Sequence, residues 1–167
     1  MKARFAAVQE SSCDPNRSST RARGFDYLDY NVYMATEYVI DGSRITSLEA
    51  FYDEIGRVLI PGHQWGRNLD AFNDILRGGF GTPGEGFTLK WSHSAVSKEK
   101  LGYPETVRQL EIRLGRCHPS NREDVRRMLS DARAGLGATV FDWLVEIIRD
   151  HCSGGEQAAD NVCLVLD

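Results

Sequence analysis

The sequence predicts an α/β domain in which three β-strands form a parallel sheet packed by helices. Three short segments have the composition of strands, at positions 38–40, 87–91 and 162–166. Segments with helical periodicity separate each strand from the next, and such crossovers favour parallel pairing with right-handed connections. The length of 167 residues suits one compact unit that buries a core of its own.

Composition and charge favour a protein that binds a basic partner. The formal net charge is −4, from 20 basic and 24 acidic residues, whereas binding to nucleic acid requires a clustered basic surface. No run approaches the roughly 20 apolar residues of a membrane span, and the N-terminus lacks the apolar segment of a secretory signal. We therefore expect a cytoplasmic protein that binds neither nucleic acid nor membrane, with its four scattered cysteines reduced.

Residues 1–33 differ in composition from the rest of the chain. Serine, threonine, asparagine and proline interrupt this stretch, which has no sustained apolar period. We predict a flexible or loosely packed arm, followed by a domain at 34–167. Two alternatives stay open: the aromatic residues at 25–33 fold back against the domain, or Met34 is the natural start.

The first half of the domain is predicted to contain one strand and two helices. The strand ends at the turn pair Asp41-Gly42, and a capping box of Thr46 and Glu49 begins the first helix. The apolar stripe of that helix consists of Leu48, Phe51, Ile55, Val58 and Leu59. The second helix is predicted to begin after the cap residue Asn68. Its inward side chains are Leu69, Phe72 and Leu76, and the glycine pair at 78–79 ends it.

The second half begins with the alternating strand 87–91. Pro104 suits the first turn of a helix, and Ser120 and Glu123 predict a capping box for the next one. These two helices are predicted to form a polar, surface-facing hairpin at 102–138. The most apolar helix follows at 139–151 and should be the central one. The final strand is a continuous apolar run, which indicates burial on both faces.

Polar and apolar faces separate most clearly in the segment 63–76. Asp70, Asn73 and Asp74 fall opposite the apolar stripe at helical spacing. Aspartates four residues apart repel each other by roughly a few tenths of a kcal/mol, so Asp74 is locally unfavourable, while Asp70 gains from the helix N-terminus. A local rule broken on an exposed face indicates function. The ordinary alternative is a solvated helix face with two acids of no special role.

A longer pattern in the same segment resembles the signature of the barstar family, the intracellular inhibitors of the ribonuclease barnase. The pattern is Trp65-Gly66-x-Asn68-Leu69-Asp70-Ala71-x-x-Asp74-x-Leu76. The predicted strands and the stretch Ser97-Lys98-x-x-Leu101 fit the same family. The resemblance covers most of 37–101 and 139–167. It implies a barstar-like fold with an extra helical hairpin, 102–138, inserted before the last helix.

The resemblance implies an inhibitor whose second helix and preceding loop plug the active site of a basic, extracellular-type ribonuclease or a ribonuclease toxin. In the family an aspartate fills a phosphate-binding pocket, and Asp74 matches it by position. Asp70 matches a second acidic contact, and Asp150 roughly matches a third. A carboxylate can accept the charge-assisted hydrogen bonds that such a pocket offers to phosphate. We expect a bacterial antitoxin or immunity protein that is not an enzyme and needs no cofactor.

The chain departs from the family at its aromatic contacts. Gln64 stands where the family has a contact tyrosine, and Asn73 and Gly79 stand where it has tryptophans. Interface energy concentrates in a few aromatic and charged anchors, so the departures imply a weaker complex or a different target. His63, Trp65 and Phe80 are candidate replacements, although Trp65 suits the core equally well. The predicted partner-binding residues are His63, Gln64, Gly66, Asp70, Asn73, Asp74 and Asp150.

Two other classes of function remain open. A metal-dependent hydrolase could use Asp70, Asp74 and Glu85 as oxygen ligands with His63 as a fourth group. A regulatory module could bind a partner that is not a nuclease. The pairs at 117–118 and 151–152 combine cysteine with histidine but lack the gapped spacing of structural zinc sites. The arginines of the hairpin indicate a solvated basic face or a second protein-binding surface.

Overall fold

The computed structural model describes residues 36–167, so the predicted arm at 1–33 and both alternatives to it lie outside the described residues. Within that range the strands are β1 (Glu37–Asp41), β2 (Phe87–Ser92) and β3 (Val162–Leu166). The helices are α1 (Leu48–Val58), α2 (Leu69–Leu76), α3 (Ser94–Lys100), α4 (Tyr103–Arg116), α5 (Arg122–Arg133) and α6 (Val140–Asp150). Short 3-10 helices lie at Gly42–Arg44, Pro119–Asn121 and Ala158–Asp160.

The three strands form one parallel sheet in the order β1-β2-β3, which confirms the predicted fold class. Ile40 of β1 lies opposite Trp91 of β2, and Leu89 of β2 lies opposite Leu164 of β3. The parallel arrangement follows from the connections, because α1 and α2 join the first two strands and α3 to α6 join the last two. The candidate site on α2 therefore lies on the first crossover.

The core fills one face of this sheet. Buried and half-exposed residues alternate along β2, and Phe87, Leu89 and Trp91 point inward. Apolar residues from α1, α2 and α6 pack against them, among them Phe51, Phe72, Leu144 and Ile148. The prediction that the last strand is buried on both faces is wrong. Because β3 lies at an edge of the sheet, Val165 and Leu166 each remain 39% exposed.

Two of the predicted helix caps are wrong in detail. The side chain of Ser47, not Thr46, accepts the hydrogen bond from the Ala50 amide at 3.2 Å, and Glu49 turns toward α4 instead of closing a capping box. The Ser120 hydroxyl donates to its neighbour Asn121, so α5 begins without the predicted Ser120 cap. In both places a side chain has a better partner than the backbone amide that the local pattern assigned to it.

The helices α4 and α5 form the predicted hairpin, which has a small apolar cluster of its own. The members of that cluster are Leu110, Val125, Leu129 and Ala132. Buried polar contacts join the hairpin to the main core: the carboxylate of Glu105 accepts from the Leu48 amide at 2.9 Å, and the Thr106 hydroxyl accepts from the Val140 amide at 3.0 Å. Both contacts satisfy amides at the first residue of another helix.

Four of the seven arginines on the hairpin are paired with acids of the same hairpin. The pairs are Arg108 with Glu105, Arg126 with Glu123, Arg127 with Asp124, and Arg133 with Glu111. This pairing fits the solvated-face interpretation better than a second binding surface. None of the helices in the described range 36–167 combines the length and apolar character needed to cross a membrane.

Candidate functional site

The helix α2 begins with a defined cap and a tight turn. Asn68 is extended, and its Oδ1 accepts from the Ala71 amide at 2.8 Å, which confirms the predicted cap. The preceding Arg67 is in the left-handed region, with φ 47°. A Cβ at Gly66 would lie 3.0 Å from Asn68 Nδ2 and 3.2 Å from the Ala71 Cβ. The close approach of Gly66 to this cap gives the glycine a local structural role at the start of α2.

One face of α2 is fixed in the core, while its two aspartates face outward. Phe72, Ile75 and Leu76 are buried, and Phe72 packs edge-to-face against Phe51 with ring centroids 5.0 Å apart. Asp70 is exposed, and the side chain of Asp74 is 68% exposed. The predicted separation of faces is therefore correct for the two acids. The Thr82 hydroxyl, which donates to the Ile75 carbonyl at 2.7 Å, holds the end of the helix.

The loop before α2 borders a surface cleft of about 350 Å³. Its lining residues are Tyr52, Asp53, Gly56, His63, Gln64, Trp65 and Arg67. His63 and Gln64 are exposed, whereas Trp65 is half-buried and packs edge-to-face against Tyr52 with ring centroids 5.4 Å apart. Trp65 also contacts the main core, so of its two predicted roles the core role is the one the structure favours.

An exposed aromatic pair joins the loops on either side of α2. The rings of His63 and Phe80 lie 6.0 Å apart, and Phe80 is 46% exposed. The sequence indicated both residues as replacements for missing aromatic contacts, but their proximity follows only from the fold. Aromatic side chains at this degree of exposure offer area that a partner can still bury.

Asn73 is half-buried, so the prediction that it lies opposite the core with the two aspartates is wrong. Its Oδ1 lies 3.0 Å from Nε2 of His151 and accepts from the Gln157 side-chain amide at 3.3 Å. The other ring nitrogen of His151, Nδ1, lies 2.6 Å from Asp160 Oδ2. Asn73 thus connects α2 to the segment that follows α6, because that segment packs beside the helix.

The same network reaches Asp74. Arg77 donates from Nη1 to Asp74 Oδ1 at 3.2 Å. It also donates from Nε to Gln157 Oε1 at 2.8 Å. These contacts form one continuous polar chain, which we call the α2 network. Its members, in order of contact, are Asp74, Arg77, Gln157, Asn73, His151 and Asp160. Sequence reasoning missed its members His151, Gln157 and Asp160, because they lie about 80 residues from α2 and no short-range pattern marks them.

Asp150 is the last residue of α6 and precedes His151 directly. It is half-buried, and its backbone carbonyl accepts from the Gln157 amide at 2.8 Å. Since His151 and Gln157 both contact Asn73, Asp150 lies at the end of α6 that adjoins α2. Its contact with a partner stays a prediction.

Two acids on or near this face pair with arginines of the same chain. Asp74 pairs with Arg77, and Asp53 pairs with Arg67 at 2.7 Å, with all four side chains about half exposed or more. Exposed pairs of this kind contribute only about 0–1 kcal/mol each, so a buried arginine or lysine of a partner can compete for the carboxylates. Burial, together with the charges of Glu49 and Asp70, raises the pKa of Tyr52 to about 12 and keeps its hydroxyl neutral.

The metal-site alternative receives no support from the geometry. Among residues 36–167, no group of three or more histidine, cysteine, aspartate or glutamate side chains could hold a metal ion, so Asp70, Asp74, Glu85 and His63 do not converge. The two cysteine–histidine pairs have other structural roles. His118 accepts from the Ser120 amide at the start of a 3-10 helix, and His151 belongs to the α2 network.

Comparison with known proteins gives one family. The family model described as Barstar (barnase inhibitor) matches residues 35–141. A search of curated proteins finds no match. The matched range includes the segment 63–76 and also the hairpin 102–138, which we expected to lie outside the resemblance. It ends at the start of α6, although we expected the resemblance to extend over 139–167. Because the match spans more than half of the chain, and the described fold agrees with it, the chain belongs to the barstar family of ribonuclease inhibitors.

Proposed function

We propose that this protein inhibits a basic, extracellular-type ribonuclease or a ribonuclease toxin by placing α2 and the loop 61–68 in its active site. The observation that carries the proposal is the exposure of Asp74 on the outward face of a helix whose other face is fixed in the core. Membership of a ribonuclease-inhibitor family supports a ribonuclease as the partner.

The chemistry of such an active site explains how one carboxylate can block it. A ribonuclease holds a phosphodiester with arginine, lysine and histidine side chains, and a carboxylate accepts the same charge-assisted hydrogen bonds. Arg77 contacts Oδ1 of Asp74 at 3.2 Å, and the Asp74 side chain is 68% exposed beside this ion pair. Asp74 therefore mimics the charge of the substrate without offering a bond that the enzyme can cleave.

The rigidity of α2 makes this mimicry effective. The Asn68 cap holds the first turn, Phe72 fixes the middle of the helix in the core, and Thr82 holds its last turn. A group that is already in its bound position loses little conformational entropy on association, and this preserves affinity. We propose that Asp70 assists Asp74 from the same outward face, and that Asp150 adds a third charge from the end of α6.

The aromatic pair of His63 and Phe80 supplies the apolar part of the proposed interface. Binding energy concentrates in buried aromatic and charged anchors, and the tyrosine and tryptophans of the family are absent at Gln64, Asn73 and Gly79. His63 and Phe80 flank α2 on both sides and lie in contact distance of each other. We propose that they replace part of the missing anchoring, while Gln64 lines the adjoining cleft and Gly66 keeps the start of α2 in place.

An inhibition assay with a matched control variant tests the proposal. The purified protein is titrated into a panel of basic ribonucleases and ribonuclease toxins, including any encoded beside its gene, and RNA cleavage is followed. Asp124 is the control, because it is exposed and pairs with Arg127 at three residues' distance, as Asp74 does with Arg77.

We expect stoichiometric inhibition by the wild type and a Kd about 100-fold weaker for Asp74→Ala, because losing one partner of a buried charge pair costs about 2–5 kcal/mol. Asp124→Ala should inhibit like the wild type. Full inhibition by Asp74→Ala would refute the role of this residue, and failure to inhibit any enzyme of the panel would count against the proposed function.

We further propose that the protein works as a cytoplasmic antitoxin or immunity protein, without enzymatic activity or a cofactor. An inhibitor of a ribonuclease protects a cell only in the compartment where the RNA is exposed to the enzyme. Co-expression with the inhibited ribonuclease should therefore relieve growth arrest, and the Asp74→Ala variant should fail to relieve it. Relief by both proteins alike would contradict this role.

A further inference from the structure

His151 is a buried histidine with an oxygen atom at each ring nitrogen. Its side chain is 0% exposed. Nδ1 lies 2.6 Å from the carboxylate oxygen Oδ2 of Asp160, and Nε2 lies 3.0 Å from the amide oxygen Oδ1 of Asn73. A carboxylate oxygen accepts hydrogen bonds, and so does an amide oxygen. Both ring nitrogens therefore face acceptors.

The orientation of the Asn73 amide is set by the rest of the α2 network. A guanidinium can only donate, so Arg77 requires the oxygen of Gln157 at the 2.8 Å contact with its Nε. The nitrogen of the Gln157 amide then points to Asn73 and donates to its oxygen. With oxygen at Asn73 and oxygen at Asp160, the ring of His151 must donate from both nitrogens, which only the imidazolium form can do.

We propose that His151 is a positioning residue for the partner-binding face, that it is doubly protonated in the folded protein, and that losing this proton weakens partner binding. The effect on binding rests on the proposed function; the protonation state does not. Asp160 neutralises the buried imidazolium through a short charge-assisted hydrogen bond, as a buried charge requires. His151 thereby holds Asn73, Gln157 and Arg77 in the arrangement that fixes Asp74.

A neutral ring cannot keep the same set of hydrogen bonds. If Nε2 loses its proton, it becomes an acceptor that faces the Asn73 oxygen, and the Asn73 amide must turn to donate. The nitrogen of Asn73 would then face the nitrogen of Gln157, and turning Gln157 in response would oppose its nitrogen to the Nε of Arg77. Deprotonation therefore breaks the α2 network at one of its links and loosens the arginine beside Asp74.

The charged groups around His151 come from each of the elements that adjoin it. Asp160 contacts the ring from the 3-10 helix Ala158–Asp160, and Val162 of β3 contributes only a backbone amide that donates to the His151 carbonyl. Asp74 and Arg77 of α2 belong to the same hydrogen-bonded network. Arg149 and Asp150 of α6 and Glu156 are the other charged residues close to His151 in the sequence. Of these groups, Asp160 makes the direct contact with the ring, with its Oδ2 2.6 Å from Nδ1.

The protonation state can be measured without any partner. Uniformly ¹⁵N-labelled full chain is followed by NMR as pH is raised from about 6 to 9, which extends past the range where histidines ordinarily change charge. The His151→Gln variant identifies the signal. We expect both ring nitrogens to carry protons at about pH 6, and the side-chain amides of Asn73 and Gln157 to lose protection together with the ring proton. A neutral ring at that pH, with both amides still protected, would overturn the proposal.

The effect on binding is measured with the inhibited ribonuclease over the same pH range. The Kd of His151→Gln should exceed that of the wild type by about tenfold at low pH, the size expected for one hydrogen bond to a charged group, and the two should converge at high pH. Gln157→Leu removes a link of the α2 network but keeps the histidine. Its Kd should differ from that of the wild type in the same way as the Kd of His151→Gln. The control is His93→Gln, at an exposed histidine that contacts Asp41.

The outcomes separate this inference from the function on which it rests. A Kd ratio between wild type and His151→Gln that stays constant with pH would overturn the inference, even where Asp74→Ala abolishes inhibition. Inhibition that Asp74→Ala leaves intact would overturn the proposed function instead, whatever the NMR experiment shows for His151.

Discussion

Truncating Phe80 tests whether the exposed aromatic pair contributes to partner binding. Fully burying a phenylalanine side chain is worth about 1.5–3 kcal/mol, and 46% of Phe80 is still exposed in the free protein. Burial of that remainder in an interface would contribute roughly 0.7–1.4 kcal/mol. Phe80→Ala should therefore weaken the Kd for the target ribonuclease about three- to tenfold.

The assay for Phe80 is calorimetric or competitive titration of the ribonuclease, with urea unfolding of the free protein beside it. Val96→Ala is the matched control, since Val96 is 40% exposed on α3. Phe80→Ala should change the free energy of unfolding little, because much of the ring lies in solvent already. An unchanged Kd for Phe80→Ala, or an equal loss for Val96→Ala, would refute the assignment of Phe80 as an anchor.

Two further predictions concern stability. Asn68→Ala removes the acceptor of the Ala71 amide and should lower the free energy of unfolding by about 1 kcal/mol in urea titration, whereas an unchanged midpoint would show that α2 needs no side-chain cap. Burial opposes ionisation of Glu49, but hydrogen bonds from Gln109 and Arg108 outweigh it and lower the pKa to about 2. The stabilisation by the ionised Glu49 is present above the ordinary pKa of 4.5 and is lost as pH falls toward 2. The free energy of unfolding of Glu49→Gln should therefore equal that of the wild type near pH 2. As pH rises above 4.5, the wild type should become the more stable of the two.

The elements that short-range patterns define could be predicted from the sequence. The alternation at 87–91 gave β2, and the spacing of Leu69, Phe72 and Leu76 gave the buried face of α2. Both patterns arise because side chains repeat every two residues along a strand and every 3.6 along a helix. The exposed position of Asp70 and Asp74 followed from the same spacing.

What the sequence could not provide are contacts between distant segments. Asn73 occupies a helical position that looked exposed, yet it is half-buried because the segment 151–160 packs beside α2. Likewise, Glu49 looked like part of a capping box until the fold placed Arg108 and Gln109 of α4 within its reach. In each case a polar residue obeys its local pattern only when the tertiary fold brings no stronger partner to it.

Comparison of two similar ion pairs shows why these distant contacts matter for the proposed function. Asp74 with Arg77 and Asp124 with Arg127 share the same spacing and similar exposure. The Nε of Arg77 is also bound by Gln157, which connects it through Asn73 to the buried His151. A guanidinium held at two points confines the carboxylate beside it, and confinement before binding reduces the entropy lost on binding. The α2 network therefore turns an ordinary surface ion pair into a positioned carboxylate, which is what an active-site plug requires.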